Sequence, residues 1–336
     1  MRVLLTGGTG YIGSHAAVVL AEAGLDVVLY DNLSNSSQDV ASRLEKIIGK
    51  KLSFVKGDVR DTLLLSKTLT EFQIDAVIHF AGFKAVGESV AKPIEYYSNN
   101  VGGTISLLQA LQTTNIRTLV FSSSATVYGD PQYLPIDEEH PISSTNPYGQ
   151  TKIQIEEMLA DLAKSDPSWH IACLRYFNPV GAHKSGLIGE DPQGIPNNLM
   201  PFINKVAAGS LPKLSVFGGD YPTPDGTGVR DYIHVLDLVE GHLAALDFLQ
   251  THSGWHAVNL GTGKGISVLD MIKAFEIATG HPVTHEIVQR RPGDIATCYA
   301  HASKAATKLN WEATRTLKEM CASSWNFQAH HRADSL

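Results

Sequence analysis

The chain of 336 residues has little cysteine, no C-x-x-C pair and no long apolar run. Its three cysteines, Cys173, Cys298 and Cys321, predict neither a disulfide framework nor a zinc site, and they fit a reducing compartment. No stretch reaches the roughly 18 uninterrupted apolar residues of a membrane span. The opening MRVLLTGGTG runs directly into a strand and a Gly-rich turn, so we expect no signal peptide. These shortages predict a cytoplasmic chain without a membrane segment or a metal.

Positive charge is also scarce, which limits the partners of the chain. Lys and Arg number 27 against 34 Asp and Glu, which gives a formal net charge of −7. An acidic balance argues against a nucleic-acid or anionic-membrane surface, although it leaves room for a local basic pocket. Hydrophobic residues make up 43%, as in ordinary globular proteins, and the length exceeds most single cores. We therefore expect two lobes, or one large α/β domain with an annex.

Short apolar runs alternate with helical patterns in the first half. The predicted strands cover residues 2–7, 26–31, 52–58, 76–82, 118–124 and 171–178. The predicted helices cover residues 14–24, 61–72, 94–113 and 148–164. Continuous apolar strands separated by helices are typical of a parallel sheet that is covered on both faces. The fold class is thus α/β, with a doubly wound parallel sheet of the Rossmann type.

The amino-acid composition changes after about residue 178, where Pro, Gly and Asn become more frequent and the alternation of strands and helices becomes irregular. We predict a first domain over 1–178 and a smaller C-terminal α/β lobe, mainly for substrate, over 179–336. Later segments are allowed to rejoin the first domain. GTGKGIS (261–267) looks slightly like a phosphate-binding loop, but Val258 stands where that motif needs its first glycine, so we reject it.

The stretch TGGTGYIG (6–13) follows the first predicted strand and opens the first helix. Gly8, Gly10 and Gly13 satisfy G-x-G-x-x-G, and Gly7 extends the pattern. Glycines let the chain turn tightly, approach a pyrophosphate and pack a helix on a strand, while the helix N-terminus attracts phosphate. The motif alone is weak, but its strand–turn–helix context predicts a dinucleotide site.

Acidic and small residues end the next strands. Asp31 follows Gly13 by 18 residues, where a carboxylate accepts hydrogen bonds from the adenosine ribose and repels a 2′-phosphate. This favours NAD over NADP, and the alternative is a strand-end turn aspartate. Asp58 is placed either to reach the adenine amino group or to cap a helix. The FAG of 80–82 lets a cofactor pass over the strand end.

A serine, a tyrosine and a lysine form the predicted chemical site. Ser124 ends the fifth strand, and Tyr148 and Lys152 lie four residues apart on one helix face. A phenol of pKa ~10 is a poor base at pH 7, and lowering that pKa by ~3 units takes about 4 kcal/mol. The lysine ammonium and an oxidised nicotinamide can supply it, so the phenolate removes a hydroxyl proton as hydride leaves the same carbon. The alternative is an amphipathic helix with a surface lysine.

These motifs, together with LRYFNPVGAH (174–183) and DGTGVRDYIHV (225–235), resemble the extended short-chain dehydrogenase/reductase superfamily. Within it, the chain is similar to the UDP-glucose 4-epimerase family over nearly its whole length. The resemblance implies that Ser124, Tyr148 and Lys152 are catalytic. It implies NAD contacts, with the glycine motif, at Gly7, Gly10, Tyr11, Ile12, Gly13, Asp31, Asn32, Leu33, Ser34, Asn35, Ser36, Asp58, Val59, Phe80, Ala81, Gly82, Phe83, Lys84, Asn99, Ser124, Tyr148, Lys152 and Phe177. It implies UDP-sugar contacts at Ser124, Tyr148, Asn178, Asn198, Leu199, Ser215, Val216, Phe217, Arg230, Arg291, Asp294 and Cys298.

The resemblance also implies a reaction, the interconversion of UDP-glucose and UDP-galactose. Tyr148, assisted by Ser124, removes the 4-hydroxyl proton while hydride moves from C4 to NAD. The 4-keto sugar then rotates about its link to UDP and is reduced on its other face. Relatives are usually homodimers that pair two helices per subunit, here 94–113 and 148–164.

Other readings stay open at this point. Another nucleotide-sugar epimerase or a dehydratase shares the fold, but a 4,6-dehydratase needs an acid pair where Ala125 and Thr126 stand. A protein of another class, a non-catalytic NAD-binding sensor, would keep the cofactor site alone. Arg230 and Arg291 offer bidentate donors to a diphosphate, and each has a surface ion pair as its alternative. Cys298 stands where relatives carry either a bulky tyrosine or a smaller residue, which predicts activity on UDP-N-acetyl sugars as well.

Overall fold

The computed structural model describes residues 1–192, 196, 198–291 and 293–333. Its strands are β1 (Arg2–Thr6), β2 (Asp26–Asp31), β3 (Ser53–Lys56), β4 (Ala76–His79), β5 (Thr118–Ser124), β6 (His170–Tyr176), β7 (Asn178–Val180), β8 (Leu214–Phe217), β9 (Val229–His234), β10 (Gly254–Leu260), β11 (Gly265–Ser267), β12 (His285–Val288) and β13 (Thr297–Cys298). Its helices are α1 (Tyr11–Glu22), α2 (Asp39–Ile48), α3 (Thr62–Glu71), α4 (Val86–Ala91), α5 (Pro93–Tyr96), α6 (Gly103–Thr113), α7 (Pro147–Ser165), α8 (Leu199–Ala207), α9 (Val235–Leu249), α10 (Val268–Thr279), α11 (Ser303–Leu309) and α12 (Leu317–Ala333). Within those residues, no helix combines the length and the apolar character needed to cross a bilayer.

The main sheet has seven parallel strands in the order β10-β6-β5-β4-β1-β2-β3. Side chains alternate between the two faces of the sheet along each strand, and helices cover both faces. Val3 and Leu5 pack into the hydrophobic cluster on one face, whereas Leu4 between them packs into the cluster on the other. All three are fully buried. The doubly wound parallel sheet predicted from the apolar runs is therefore confirmed.

The later part of the chain supplies both the seventh strand and smaller sheets. Strand β10 pairs in parallel with β6 at the edge of the main sheet. Strands β11, β9 and β13 form a second sheet that β7 joins, and β12 pairs with β8. A separate cluster around Met200, Ile203 and Phe275 forms the core of this part. The division of the chain at residue 178 stays a prediction.

One predicted helix differs from its observed form. The stretch 94–113 is divided into α5, a π-helical turn at Tyr97–Gly102, and α6. Asn100 in the turn accepts from the main-chain N–H of Phe83 at 2.8 Å and donates to the Phe83 carbonyl at 3.0 Å. The wider turn thus carries an amide that clamps the loop after β4, a feature common where helices border functional sites. Strand β4 also ends at His79, earlier than the predicted residue 82.

Candidate active site

A cavity of about 830 Å³ lies at the carboxyl ends of β1, β2 and β4. Strands β2 and β3 follow on one side of β1, and β4, β5 and β6 follow on the other, so the strand order reverses at this point of the sheet. Ligands of doubly wound sheets bind at this crevice. The predicted cofactor residues that line it are Gly7, Gly10, Tyr11, Ile12, Gly13, Asp31, Asn32, Ser34, Asn35, Ser36, Val59, Phe80, Ala81, Gly82, Phe83, Lys84, Asn99, Tyr148 and Lys152. The predicted residues Leu33, Asp58, Ser124 and Phe177 lie outside that lining.

The glycine turn after β1 fits a pyrophosphate. Gly7 has φ +68°, and a Cβ at Gly13 would collide with the carbonyl oxygen of Gly7. Helix α1 begins after Gly10, and among the described residues no side chain caps it and no acidic residue occupies its first turn. Its first N–H groups therefore keep their hydrogen-bonding capacity for an anion in the cavity.

Two carboxylates beside this turn have different surroundings. Asp31 is buried and accepts from the main-chain N–H groups of Thr9 at 3.1 Å and Leu33 at 2.8 Å, so it also holds the glycine turn in place. Asp58 is paired with the guanidinium of Arg60 at 2.8 and 2.9 Å, which holds the pKa of its carboxyl well below the usual range. The cap of helix α3 is Asp61, not Asp58. The adenine contact of Asp58 stays a prediction.

The predicted chemical residues meet at the ends of β5 and α7. Asn146 caps α7 by accepting from the N–H of Gly149 at 2.9 Å, and a proline follows it at the first helical position. Tyr148 and Lys152 then lie one turn apart and face the cavity. The Ser124 hydroxyl lies close enough to that of Tyr148 to lower the pKa of the tyrosine by hydrogen bonding. The Lys152 ammonium donates to the carbonyl of Ser122 at 2.7 Å.

Burial dominates the electrostatics of this group. It raises the pKa of Tyr148, and the hydrogen bond with Ser124 lowers that pKa in part. It lowers the pKa of Lys152 to about 8, against the opposing effect of the Glu156 carboxylate. The Lys152 ammonium lies 5.9 Å from the centre of the Tyr148 ring. The protein groups thus hold the pKa of Tyr148 above its ordinary value, and a further cation in the cavity would favour the phenolate.

The residues predicted for a UDP-sugar fall into separate places. Tyr148 is the one member of that set that lines the described cavity. Arg291 stacks 4.5 Å over the ring of Phe217 and bonds Asp294 at 3.0 Å, so three predicted contacts lie together. Val216, between Ser215 and Phe217 on β8, is buried in the core of the smaller sheets.

Another three predicted contacts lie on neighbouring strands. Asn178 on β7 pairs with β9, and Arg230 on β9 is the partner of Cys298 on β13. Arg230 donates to the carbonyl of Val229, whereas the neighbouring Asp231 accepts from Thr262, Gly263 and Ala300. The structure thus does not pair Arg230 with Asp231. The amide of Asn198 donates to Glu190 at 2.5 Å, and Leu199 begins helix α8.

Several residues of the cavity were not predicted from the sequence. Tyr176 ends β6, so the strand-end argument could have found it. Arg43 and His331 come together from distant segments, with 3.1 Å between their nitrogen atoms, and no motif indicates either. The further cavity-lining residues missed are Thr9, Ser14, Tyr30, Ser37, Val40, Gly57, Ala85, Glu88, Tyr96, Leu187, Ile188, Gly189, Glu190, Asp191, Pro192 and Phe327.

Comparison with known proteins gives this site a family. A family model described as GDP-mannose 4,6 dehydratase matches residues 4–324. With the sheet and the glycine turn, this match defines a member of the extended short-chain dehydrogenase/reductase superfamily. A UDP-glucose 4-epimerase of Bacillus subtilis (strain 168) is 56% identical over 329 residues, 98% of this chain and 97% of the relative. The chain belongs to the UDP-glucose 4-epimerase family.

Solved structures agree in fold over the full length. The UDP-glucose 4-epimerase of Bifidobacterium longum, in complex with NAD⁺ and UDP, is 54% identical, has a TM-score of 0.96, and covers 99% of each chain. The enzyme from Stenotrophomonas maltophila, with bound NAD and formylated UDP-arabinopyranose, is 51% identical, has a TM-score of 0.97, and also covers 99% of each chain.

Proposed function

We propose that the chain interconverts UDP-glucose and UDP-galactose with NAD as a resident cofactor. The observation that carries this proposal is the meeting of Ser124, Tyr148 and Lys152 beside a cavity whose glycine turn fits a dinucleotide. NAD held by the glycine turn and Asp31 would supply reversible hydride transfer with a sugar carbon. Asp31 favours NAD over NADP, because a buried carboxylate repels a 2′-phosphate.

Tyr148 is the proposed acid and base. Its side chain lines the cavity, and hydrogen bonding by Ser124 stabilises the phenolate. The anion accepts the 4-hydroxyl proton of the sugar and later returns a proton to the 4-oxygen of the turned sugar. Lys152 holds its charge one helical turn away, fixed by the carbonyl of Ser122, and stabilises the phenolate.

The UDP part is proposed to stay anchored while the sugar turns. Arg291 and Phe217 form a stacked pair that offers a guanidinium to phosphate and an aromatic face to a base. Arg230 provides the second guanidinium from β9. An anchor of this kind on the nucleotide lets one base serve both faces of a sugar, because the sugar alone has to move.

Turnover without added cofactor tests the proposal. Purified protein should convert UDP-galactose to UDP-glucose, and denaturation should release NAD that is visible in the ultraviolet spectrum. Tyr148→Phe should lower kcat by about a thousandfold or more and leave UDP binding intact. Full activity in that variant would remove Tyr148 from its role.

The other candidates make different predictions in the same assay. A non-catalytic NAD-binding sensor would release NAD but turn over no sugar. A 4,6-dehydratase would form a 4-keto-6-deoxy product, yet Ala125 and Thr126 follow Ser124 in place of an acid pair. Loss of water from the nucleotide sugar would therefore favour a dehydratase over the epimerase.

We further propose that the enzyme accepts UDP-N-acetyl sugars. Cys298 carries a small side chain on β13, beside Arg230 on β9, and belongs to a buried cluster that also contains Phe177 and Tyr128. A small residue leaves more room for a 2-acetamido group than a tyrosine would. UDP-N-acetylgalactosamine should be converted at a measurable rate, and Cys298→Tyr should reduce this rate far more than that for UDP-galactose. Conversion of UDP-galactose alone by the unaltered enzyme would refute this part.

We also propose a homodimer that pairs the region of α5 and α6 and helix α7 between subunits. Val90, Ile94 and Ile105 are exposed by 63%, 78% and 41% in and beside the first of these regions. Exposed apolar side chains on neighbouring helices favour a protein partner. Sedimentation at micromolar concentration should give a dimer, and Ile94→Glu with Ile105→Glu should give a monomer. A monomer in the unaltered protein would exclude the proposal.

A further inference from the structure

We propose that Glu190 is a positioning residue that links the predicted cofactor loop to the predicted UDP-sugar lobe. This inference rests on the proposed function, since the two residues it joins, Lys84 and Asn198, are a proposed NAD contact and a proposed UDP-sugar contact. One oxygen of the Glu190 carboxylate accepts from the Lys84 ammonium at 2.9 Å and from the Asn198 amide at 2.5 Å. Glu190 itself was not predicted from any motif.

The loop that carries Glu190 is held firmly against the C-terminal helix. Gly186 has φ +69°, and a Cβ at Gly189 would collide with the ring of Phe327 on α12. Asn326, one residue earlier on that helix, donates to the carbonyl of Lys184 at 3.1 Å. The Glu190 carboxylate therefore projects from a loop that is packed against α12.

Burial makes this ion pair stronger than an ordinary surface pair. The Glu190 side chain is 9% exposed and the Lys84 side chain 41%. A shielded carboxylate with a charged donor and an amide donor forms charge-assisted hydrogen bonds, which are stronger than neutral ones. An exposed pair of similar length, Lys213–Glu286 at 2.6 Å with 49% and 41% exposure, is the comparison within this chain.

The pair also balances charge along the wall of the cavity. Glu190 and Lys84 both line it, beside the glycine turn that fits a pyrophosphate. A lone carboxylate there would repel phosphates, and the Lys84 ammonium offsets that charge. A single carboxylate thus positions both the Lys84 ammonium, a proposed NAD contact, and the Asn198 amide, a proposed UDP-sugar contact.

The substitutions separate positioning from a purely structural role. Glu190→Gln keeps an oxygen that can accept from Asn198 but removes the charge that holds Lys84. Glu190→Ala removes both, and Lys84→Met removes the cation from the other side. Glu286→Gln is the matched control in the exposed pair. Each purified variant is measured for kcat and KM with UDP-galactose, for the NAD released on denaturation, and for its unfolding temperature.

We expect Glu190→Gln to lower the NAD content and to raise KM about tenfold, with kcat per NAD-containing molecule within about twofold of the unaltered enzyme. Glu190→Gln should have little further effect in the Lys84→Met background, and Glu286→Gln should match the unaltered enzyme. KM and NAD content unchanged in Glu190→Gln would overturn the proposal, as would tighter binding, since Glu190 would then act only as a repelling charge. If Glu190→Ala does not fold, Glu190→Gln and Lys84→Met decide. If the unaltered enzyme shows no turnover, the proposed function fails, and the NAD content still tests the Lys84 link.

Discussion

The Lys152 ammonium donates a 2.7 Å hydrogen bond to the main-chain carbonyl of Ser122, in a place where only 5% of the lysine is exposed. The bond holds the Lys152 ammonium near Tyr148, which precedes the lysine by one turn of the helix. Burial of an ammonium disfavours its charged form, which is the reason that the pKa of Lys152 falls to about 8. The buried ammonium of Lys152, which is proposed to assist the chemistry, therefore destabilises the folded state at neutral pH.

Lys152→Met makes that cost measurable through its pH dependence. Between about pH 8 and the ordinary lysine value near 10.5, the unfolded chain binds a proton that the native chain has lost. Stability contributed by Lys152 therefore rises with pH across this window, and the penalty is fully present below it. The free energy of unfolding of the unaltered protein, minus that of Lys152→Met, should increase by up to about 3 kcal/mol.

Urea unfolding of nucleotide-free protein at a series of pH values is the measurement. Titrating groups that do not interact with Lys152 are common to both proteins and cancel in the difference. Lys51→Met, at a side chain that is 92% exposed and pairs with Glu45, is the surface control for the loss of a lysine. A flat difference for Lys152→Met would show that burial does not shift the pKa of this lysine.

A buried ion pair beneath the same helix carries a second prediction. Glu156 on α7 bonds Arg175 on β6 at 2.6 Å, with side-chain exposures of 6% and 5%, and Ser123 donates to the same carboxylate. Arg175→Met would leave the carboxylate buried without its partner and should destabilise the fold by about 3–5 kcal/mol. Lys213→Met, in the exposed pair with Glu286, should cost about 1 kcal/mol or less. Equal losses of unfolding free energy in urea would contradict the distinction.

The parts of this molecule that could be predicted from its sequence are those in which local pattern dictates structure. Apolar runs predicted the sheet, and the glycine spacing predicted the turn, because burial and backbone freedom act on neighbouring residues. The Tyr148 and Lys152 pair was predictable because a helix places residues four apart on one face. The UDP-sugar contacts came from resemblance alone and stay predictions.

What could not be predicted depends on partners far along the chain. Glu190 meets Lys84 across 106 residues, and Asn100 forms its hydrogen bonds with the loop after β4. The π-helical turn contains Asn100 and occurs together with these contacts. Nothing in the local sequence of 94–113 distinguishes it from an ordinary helix. Asp58 is a different case, because its partner Arg60 lies only two residues away and the strand-end argument did not consider that pair.

Gly13→Ala tests the fit of the glycine turn to its ligand. The added methyl would collide with the carbonyl oxygen of Gly7, so the turn has to open and helix α1 has to shift. The NAD released from purified protein should fall about tenfold or more, since the phosphate-binding N–H groups move with the turn. At Gly87 on α4, the same methyl meets open space among the described residues, so Gly87→Ala is the control. Full NAD content in Gly13→Ala would show that the dinucleotide does not depend on this turn.

Ser124→Ala should move the pH profile of the reaction. Burial raises the pKa of Tyr148, and the hydrogen bond with Ser124 lowers it, so removing that hydroxyl leaves the phenol a weaker acid. Because the phenolate is the reactive form, kcat/KM should rise with pH along a limb that lies at higher pH in the variant. The loss of rate should be largest at neutral pH and should shrink as the pH rises. A loss of equal size at every pH would indicate that Ser124 only places the substrate, without acting on the acidity of Tyr148.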